Sequence, residues 1–208
     1  AYEIRPRDWS SDVCSSDLHL GIDITKATVA VQGFGNVGSV SALQLAGIGA
    51  KIVAVTDWQG GVYNANGIDL AAMQAYARTH KSIAGFPGGD PLTNDELFAL
   101  DVDVLIPAAL ENQITARNAG SVRARILTEG ANGPTTPEAH RILHDKGVFV
   151  IPDILANSGG VTTSYFEWVQ DRYGYFWTVE DVNLRLEKKM SEAFAEVLKT
   201  AMDYKVDL

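Results

Sequence analysis

Several features that would set this chain apart from ordinary globular proteins are missing from its sequence. No apolar run approaches the roughly 20 residues that cross a bilayer, and no signal-peptide core follows the basic residues near the N-terminus. The single cysteine, Cys14, cannot form an internal disulfide, which agrees with a reducing compartment. These absences predict a cytoplasmic protein that has no contact with a membrane.

The sequence also lacks a basic stripe that could follow a phosphate backbone. It has 17 Lys and Arg against 26 Asp and Glu, a formal net charge of −9. We therefore expect no nucleic-acid partner. Apolar residues make up 46% of the 208 residues and charged residues 21%, as in soluble globular proteins. This length and composition predict one packed domain with appendages.

The first part of the chain differs in character from the rest. Residues 1–18, AYEIRPRDWSSDVCSSDL, contain two Ser-Ser-Asp clusters and show neither helical nor strand periodicity. They resemble translated sequencing-adapter sequence, and the alternative is a natural flexible extension. We expect a non-native or disordered extension over 1–18 and a single domain over 19–208.

Strand and helix patterns alternate along that domain. The β-branched run 28–32 predicts a buried strand, 37–45 a helix and 51–56 a second strand. Further patterns predict a helix over 69–79, strands over 102–106, 126–128 and 148–151, and a long amphipathic helix that Thr178 and Asp181 cap. The chain is therefore expected to have an α/β, Rossmann-type, doubly wound fold, with a mostly parallel sheet, helices on both faces and a long C-terminal helix.

A glycine-rich motif joins the first strand to the first helix. Gly33, Phe34, Gly35, Asn36, Val37 and Gly38 match G-x-G-x-x-G in the context that a dinucleotide site requires. Gly33 would permit the tight turn, Gly35 the close approach of a pyrophosphate and Gly38 the packing of the helix on the strand. Asp57, 19 residues after Gly38, ends the second strand, where a carboxylate can accept hydrogen bonds from the adenosine ribose. This pattern predicts NAD binding.

A pair of histidines is the one hint of a metal site. His140 and His144 are four residues apart in a predicted helix, but Arg141 stands where the zinc-protease motif has glutamate. A pair without a third ligand or a base is better explained as a solvated helix face. We expect no metal.

Five blocks, in order, resemble the C-terminal domain of the glutamate, leucine, phenylalanine and valine dehydrogenase family, and most closely its hexameric glutamate dehydrogenases. The blocks are ATVAVQGFGNVGS, AVTDWQGGVYNANGIDL, DVLIPAALENQIT, ILTEGANGPTTPEA and VIPDILANSGGVTTSYFEW. The resemblance implies that Asn36, Ala108, Asn112, Asn132 and Asn157 lie along the cofactor. It further implies that Val161 and Ser164, on a loop after the last strand, contact the substrate, with Ser164 bonded to its side-chain carboxylate.

The resemblance also implies a function for the intact enzyme. That function is oxidation of L-glutamate to 2-oxoglutarate and ammonia with NAD, or alternatively NADP, in a homo-oligomer that is a hexamer. Family members carry a catalytic lysine and aspartate on a preceding domain, and no such segment precedes Ala27. We therefore expect no catalytic residue in this chain and no activity from it alone. The alternatives are a non-catalytic dinucleotide-binding module and a leucine, phenylalanine or valine dehydrogenase.

Overall fold

The structure is a computed structural model that describes residues 20–208, so the predicted extension over 1–18 lies outside the described residues. Seven strands are described, namely β1 Thr28–Gln32, β2 Lys51–Thr56, β3 Gly61–Tyr63, β4 Asp90–Leu92, β5 Val104–Pro107, β6 Ile126–Thr128 and β7 Phe149–Ile151. The α-helices of the same part are α1 Asn36–Gly47, α2 Leu70–His80, α3 Asn94–Phe98, α4 Pro137–Asp145, α5 Asp153–Ala156, α6 Gly159–Tyr173 and α7 Val179–Tyr204.

The strands form one sheet in the order β4-β3-β2-β1-β5-β6-β7. Strands β2, β1, β5, β6 and β7 run parallel. Beyond β2, β3 pairs antiparallel with β2, and β4 pairs antiparallel with β3. After β1 the chain first adds strands on one side of it and then, with β5, crosses to the other side. The carboxyl ends of β1 and β5 therefore flank a topological switch point, where open α/β sheets bind ligands.

Helices cover both faces of the sheet. On β1, Val29 and Val31 point into one apolar cluster and Ala30 into the other, as the two-residue period of a strand requires. The first cluster includes residues of α1, α2, α5 and α7, and the second includes residues of α3 and α4. The predicted Rossmann-type, mostly parallel fold is confirmed.

The long C-terminal helix is also confirmed. Helix α7 has 26 residues and begins after Thr178, whose hydroxyl oxygen accepts the N–H of Asp181 at 3.1 Å. Its buried face, Val182, Leu186, Met190, Phe194 and Ala201, follows the helical period. Within residues 20–208, no helix is both long and apolar enough to cross a membrane.

The two strands at one end of the sheet, β3 and the edge strand β4, were not predicted from the sequence. Strands β3 and β4 have three residues each, and β4 contains Pro91 opposite Val62 of β3. Proline has no N–H to donate, and it is found on edge strands for that reason. The sheet therefore ends at β4.

Candidate functional site

A crevice of about 1180 Å³ opens at the carboxyl edge of the sheet, beside the switch point. Its walls come from the start of α1, the segments after β5 and β6, the start of α6 and one side of α7. The lining residues are Asn36, Val37, Ser39, Val40, Ala108, Ala109, Leu110, Glu111, Gly130, Ala131, Asn132, Asn157, Gly159, Gly160, Val161 and Leu186. The structure thus brings Asn36, Val37, Ala108, Asn132, Asn157 and Val161 of the predicted site together.

Two glycines of the loop after β1 are required by close backbone packing. Gly33 has φ +95°, and a Cβ there would lie 2.7 Å from the carbonyl oxygen of Ala108. A Cβ on Gly38 would lie 1.9 Å from the carbonyl oxygen of Gly33. Such contacts are far below van der Waals distance. A larger residue at position 33 would collide with the segment after β5, and one at position 38 would push α1 away from the end of β1. Phe34, between them, packs partly buried against the core.

Gly35 differs from these two glycines because a Cβ added to it would meet no atom within 4 Å. It is the N-cap of α1 and has φ −82°, so its conformation does not demand glycine. No side chain caps this helix. The first N–H groups of α1, from Asn36 onward, are therefore free of a side-chain acceptor and carry the positive end of the helix dipole. Such a helix start can hold an anionic group.

Asp57 is half-buried at the end of β2, but its carboxylate already has backbone partners. One oxygen accepts the N–H of Gln59 at 2.8 Å and of Gly60 at 3.2 Å, and the other accepts the N–H of Ile83 at 2.7 Å. These bonds fix the β2–β3 turn and tie it to the segment after α2. A carboxylate has about four acceptor positions, so the remaining capacity for a ribose hydroxyl is small. Asp57 does not line the crevice.

The far wall of the crevice is a network around three asparagines. The side-chain amide of Asn157 donates to Oδ1 of Asn132 at 2.6 Å. The backbone N–H of Asn112 donates to the carbonyl of Gly133 at 2.8 Å, and Asn112 has φ +54°, a left-handed conformation that asparagine tolerates. Asn112 supports the Asn132 loop from behind and is not among the lining residues.

The two predicted substrate residues lie on a helix, so their assignment to a loop is wrong. Val161 and Ser164 belong to α6, which begins at Gly159. They are three residues apart and so share one side of the helix. Val161 is exposed and lines the crevice, whereas Ser164 is exposed one turn beyond it and does not. Gly159 and Gly160 leave open space at the start of this helix.

Several lining residues were missed from the sequence. Glu111 is the one charged residue among the described residues that line the crevice, and Leu186 brings α7 to its wall. Glu111 stands inside the PAALENQ block, which could have indicated it. Leu186 was assigned to a helix face that packs on its own domain, and nothing in the pattern separated the two roles.

The histidine pair is not simply a solvated helix face. His144 is exposed, but His140 is half-buried and its Nε2 lies 3.6 Å from Oε1 of Glu129. Among residues 20–208, no group of three or more His, Cys, Asp or Glu side chains could hold a metal ion.

Comparison with known proteins places this geometry in a family. The Glutamate/Leucine/Phenylalanine/Valine dehydrogenase model matches residues 14–208. The glutamate dehydrogenase of Thermotoga maritima is 53% identical over 190 residues, which cover 91% of this chain and 46% of that protein. The NADP-specific glutamate dehydrogenase of a Synechocystis species is 52% identical, over 87% of this chain and 44% of its own length. The NAD-specific enzyme of Clostridioides difficile is 46% identical, over 91% of this chain and 46% of its own length.

A solved structure agrees with these relatives. The hetero-hexameric glutamate dehydrogenase from Thermus thermophilus, in a Leu-bound form, superposes with a TM-score of 0.90 at 33% identity, covering 99% of this chain and 49% of that one. The chain spans just under half the length of the relatives that it matches. The family resemblance of the five sequence blocks is confirmed, and the chain belongs to the glutamate/leucine/phenylalanine/valine dehydrogenase family.

Proposed function

We propose that this chain is the dinucleotide-binding half of a glutamate dehydrogenase and that it binds NAD in the crevice, with NADP as the alternative. The observation that carries the proposal is the start of α1 at the switch point. There a tightly packed glycine turn presents an uncapped helix N-terminus to a crevice of about 1180 Å³. A pyrophosphate would receive hydrogen bonds from the backbone N–H groups near Gly35 and Asn36.

The crevice offers no positively charged side chain to a dinucleotide, since Glu111 is the one charged residue among the described residues that line it. The negative charge of the phosphates would therefore be balanced by backbone N–H groups and the α1 dipole. Ala108 would line the approach to the cofactor, and Asn132 and Asn157 would position the nicotinamide end on the opposite wall. Asn112 would act on the same approach by supporting the Asn132 loop.

Two relatives differ in cofactor, since the C. difficile enzyme is named as NAD-specific and the Synechocystis enzyme as NADP-specific. Asp57 lies outside the crevice, at the end of β2, where the adenosine ribose of the dinucleotide would extend. We propose NAD as the preferred cofactor of this chain because the carboxylate of Asp57 would there face the 2′-phosphate of NADP. A like-charge contact at a partly exposed site costs about 1 kcal/mol.

The reaction that we propose for the intact enzyme is oxidative deamination of L-glutamate to 2-oxoglutarate and ammonia. When bound, the nicotinamide would supply hydride transfer. Val161 would contact the substrate beside the nicotinamide end, and the hydroxyl of Ser164 would donate a hydrogen bond to the side-chain carboxylate of glutamate. We further propose that the intact enzyme is a cytoplasmic homo-oligomer, and specifically a hexamer.

Calorimetric titration of the 208-residue chain with NAD and with NADP tests the cofactor proposal. We expect saturable binding of both, with NAD the tighter ligand. Glutamate without a dinucleotide is the matched control and should give little heat. Failure of either dinucleotide to bind at millimolar concentration would contradict the proposed function, and tighter binding of NADP would contradict the role given to Asp57.

A further inference from the structure

A buried carboxylate stands directly behind the asparagine wall of the crevice. Glu129 follows β6 and is 3% exposed. Its Oε2 accepts the backbone N–H of Asp153 at 3.0 Å. Its Oε1 is buried and has no hydrogen-bond partner among the described residues, and it faces Nε2 of His140 at 3.6 Å. One oxygen of Glu129 thus accepts a backbone hydrogen bond, and the other faces the titratable ring of His140.

Oε2 of Glu129 is connected to the crevice through a short series of hydrogen bonds. Asp153 is the first residue of α5, and its Oδ2 accepts the backbone N–H of Gly133 at 2.7 Å. Gly133 follows Asn132, and Asn157, the residue whose amide donates to Asn132, directly follows the last residue of α5. Glu129 therefore fixes both segments that carry the asparagine pair.

The oxygen that faces His140 has a partner whose charge depends on pH. Contact with the Glu129 carboxylate raises the pKa of His140 above its ordinary value of 6.5, partial burial opposes that rise, and the negative charges of Asp207 and Asp153 add to it. Lys205 and His144 also border the small cavity beside His140. A protonated His140 compensates the buried negative charge of Glu129, whereas a neutral ring leaves it uncompensated.

We propose that Glu129 is a positioning residue for the crevice and that its contact with His140 makes the geometry of Asn132 and Asn157 depend on the protonation of His140. The consequence for dinucleotide affinity rests on the proposed function. The direction of the pH dependence follows from the raised pKa of His140. The contact is at full strength below about pH 6.5, the unfolded value, and is lost as the pH rises through the higher folded value.

A readout without ligand tests the contact itself. The backbone amide of Asp153 and the side-chain amides of Asn132 and Asn157 are followed by nitrogen-15 NMR between pH 6 and pH 9. We expect one shared transition above about pH 6.5. This transition should disappear in His140→Gln. It should also disappear in Glu129→Gln, because the glutamine side chain retains an oxygen acceptor but carries no charge. His144→Gln, on the same helix, is the control and should retain it.

A readout with ligand tests the link to the crevice. Over the same pH range we expect the Kd for NAD to rise about two- to fivefold, the size of effect typical of a partly exposed ion pair, and to stay constant in His140→Gln. Persistence of the amide transition in His140→Gln would overturn the inference, as would its absence from the unsubstituted chain. A normal amide transition in a chain that binds no NAD would instead contradict the proposed function.

Discussion

Substitution of Gly35 by alanine separates the ligand role of the glycine loop from its packing role. The added methyl group enters open space, and φ −82° suits alanine. Loss of the glycine N-cap and the lower entropy of the unfolded chain nearly cancel, so we expect stability to change by less than about 1 kcal/mol. The methyl group would nevertheless occupy the position where a pyrophosphate approaches the backbone. Loss of one hydrogen bond to a charged group would raise the Kd for NAD about ten- to a hundredfold.

Gly47 and Gly38 provide the matched controls on the same helix. A Cβ on Gly47 also meets nothing within 4 Å, but Gly47 ends α1 away from the crevice. Gly47→Ala should therefore leave the Kd unchanged and raise stability by up to about 1 kcal/mol. Gly38→Ala should destabilise the fold by about 3 kcal/mol, because its Cβ would meet the carbonyl of Gly33.

Thermal denaturation followed by circular dichroism and calorimetric titration with NAD measure the two effects separately. For a chain of this size, 3 kcal/mol corresponds to a fall in Tm of roughly 6–12 °C. We expect Gly38→Ala to have a lower Tm, and Gly35→Ala to have a lower affinity for NAD at a nearly constant Tm. Unchanged NAD affinity in Gly35→Ala would refute the assignment of this loop to the pyrophosphate.

Three further predictions concern side chains. Asp57→Asn should lower the free energy of unfolding by about 1–3 kcal/mol, because an amide nitrogen cannot accept the N–H of Ile83. It should also shift the ratio of NAD to NADP affinity toward NADP, and an unchanged ratio would argue against contact with the 2′ position. Thr178→Ala should lower the free energy of unfolding by about 1 kcal/mol by removing the α7 cap, measured by urea denaturation. Thr200→Ala, at an exposed position near the other end of the same helix, is the control and should change stability by less than about 1 kcal/mol. Ser164→Ala in a full-length enzyme should raise KM for glutamate about ten- to a hundredfold at constant cofactor affinity, and unaltered glutamate kinetics would remove Ser164 from the site.

The parts of the fold that sequence patterns predicted are those determined by local chemistry. Strand β1, the glycine turn and α1 were recognisable because a β-branched run, three spaced glycines and a helix follow one another directly. Strands β3 and β4 were not, because three residues are too few for a period and their pairing joins segments about 30 residues apart along the chain. Helix α6 was not recognisable either, because it opens with Gly-Gly-Val-Thr-Thr, a run of low helix propensity.

The same distinction holds at the candidate site. The glycine motif and the blocks around Asn132 and Asn157 indicated the crevice, because such turns are sequence-local. The backbone partners of Asp57 were unpredictable, since Ile83 is 26 residues away and its N–H carries no side-chain signature. Glu129 was passed over because a carboxylate beside a strand is ordinarily solvated, and only the folded chain brings it to His140.

Pro91 in β4 has a consequence for how copies of this chain can aggregate. An exposed strand edge normally offers a row of N–H and C=O groups to which a foreign strand can add, and repeated addition produces fibres. Strand β4 is three residues long and its central residue has no N–H to offer, so this margin cannot template a regular ladder. Polymerisation by strand addition at β4 is thereby blocked by one imino acid.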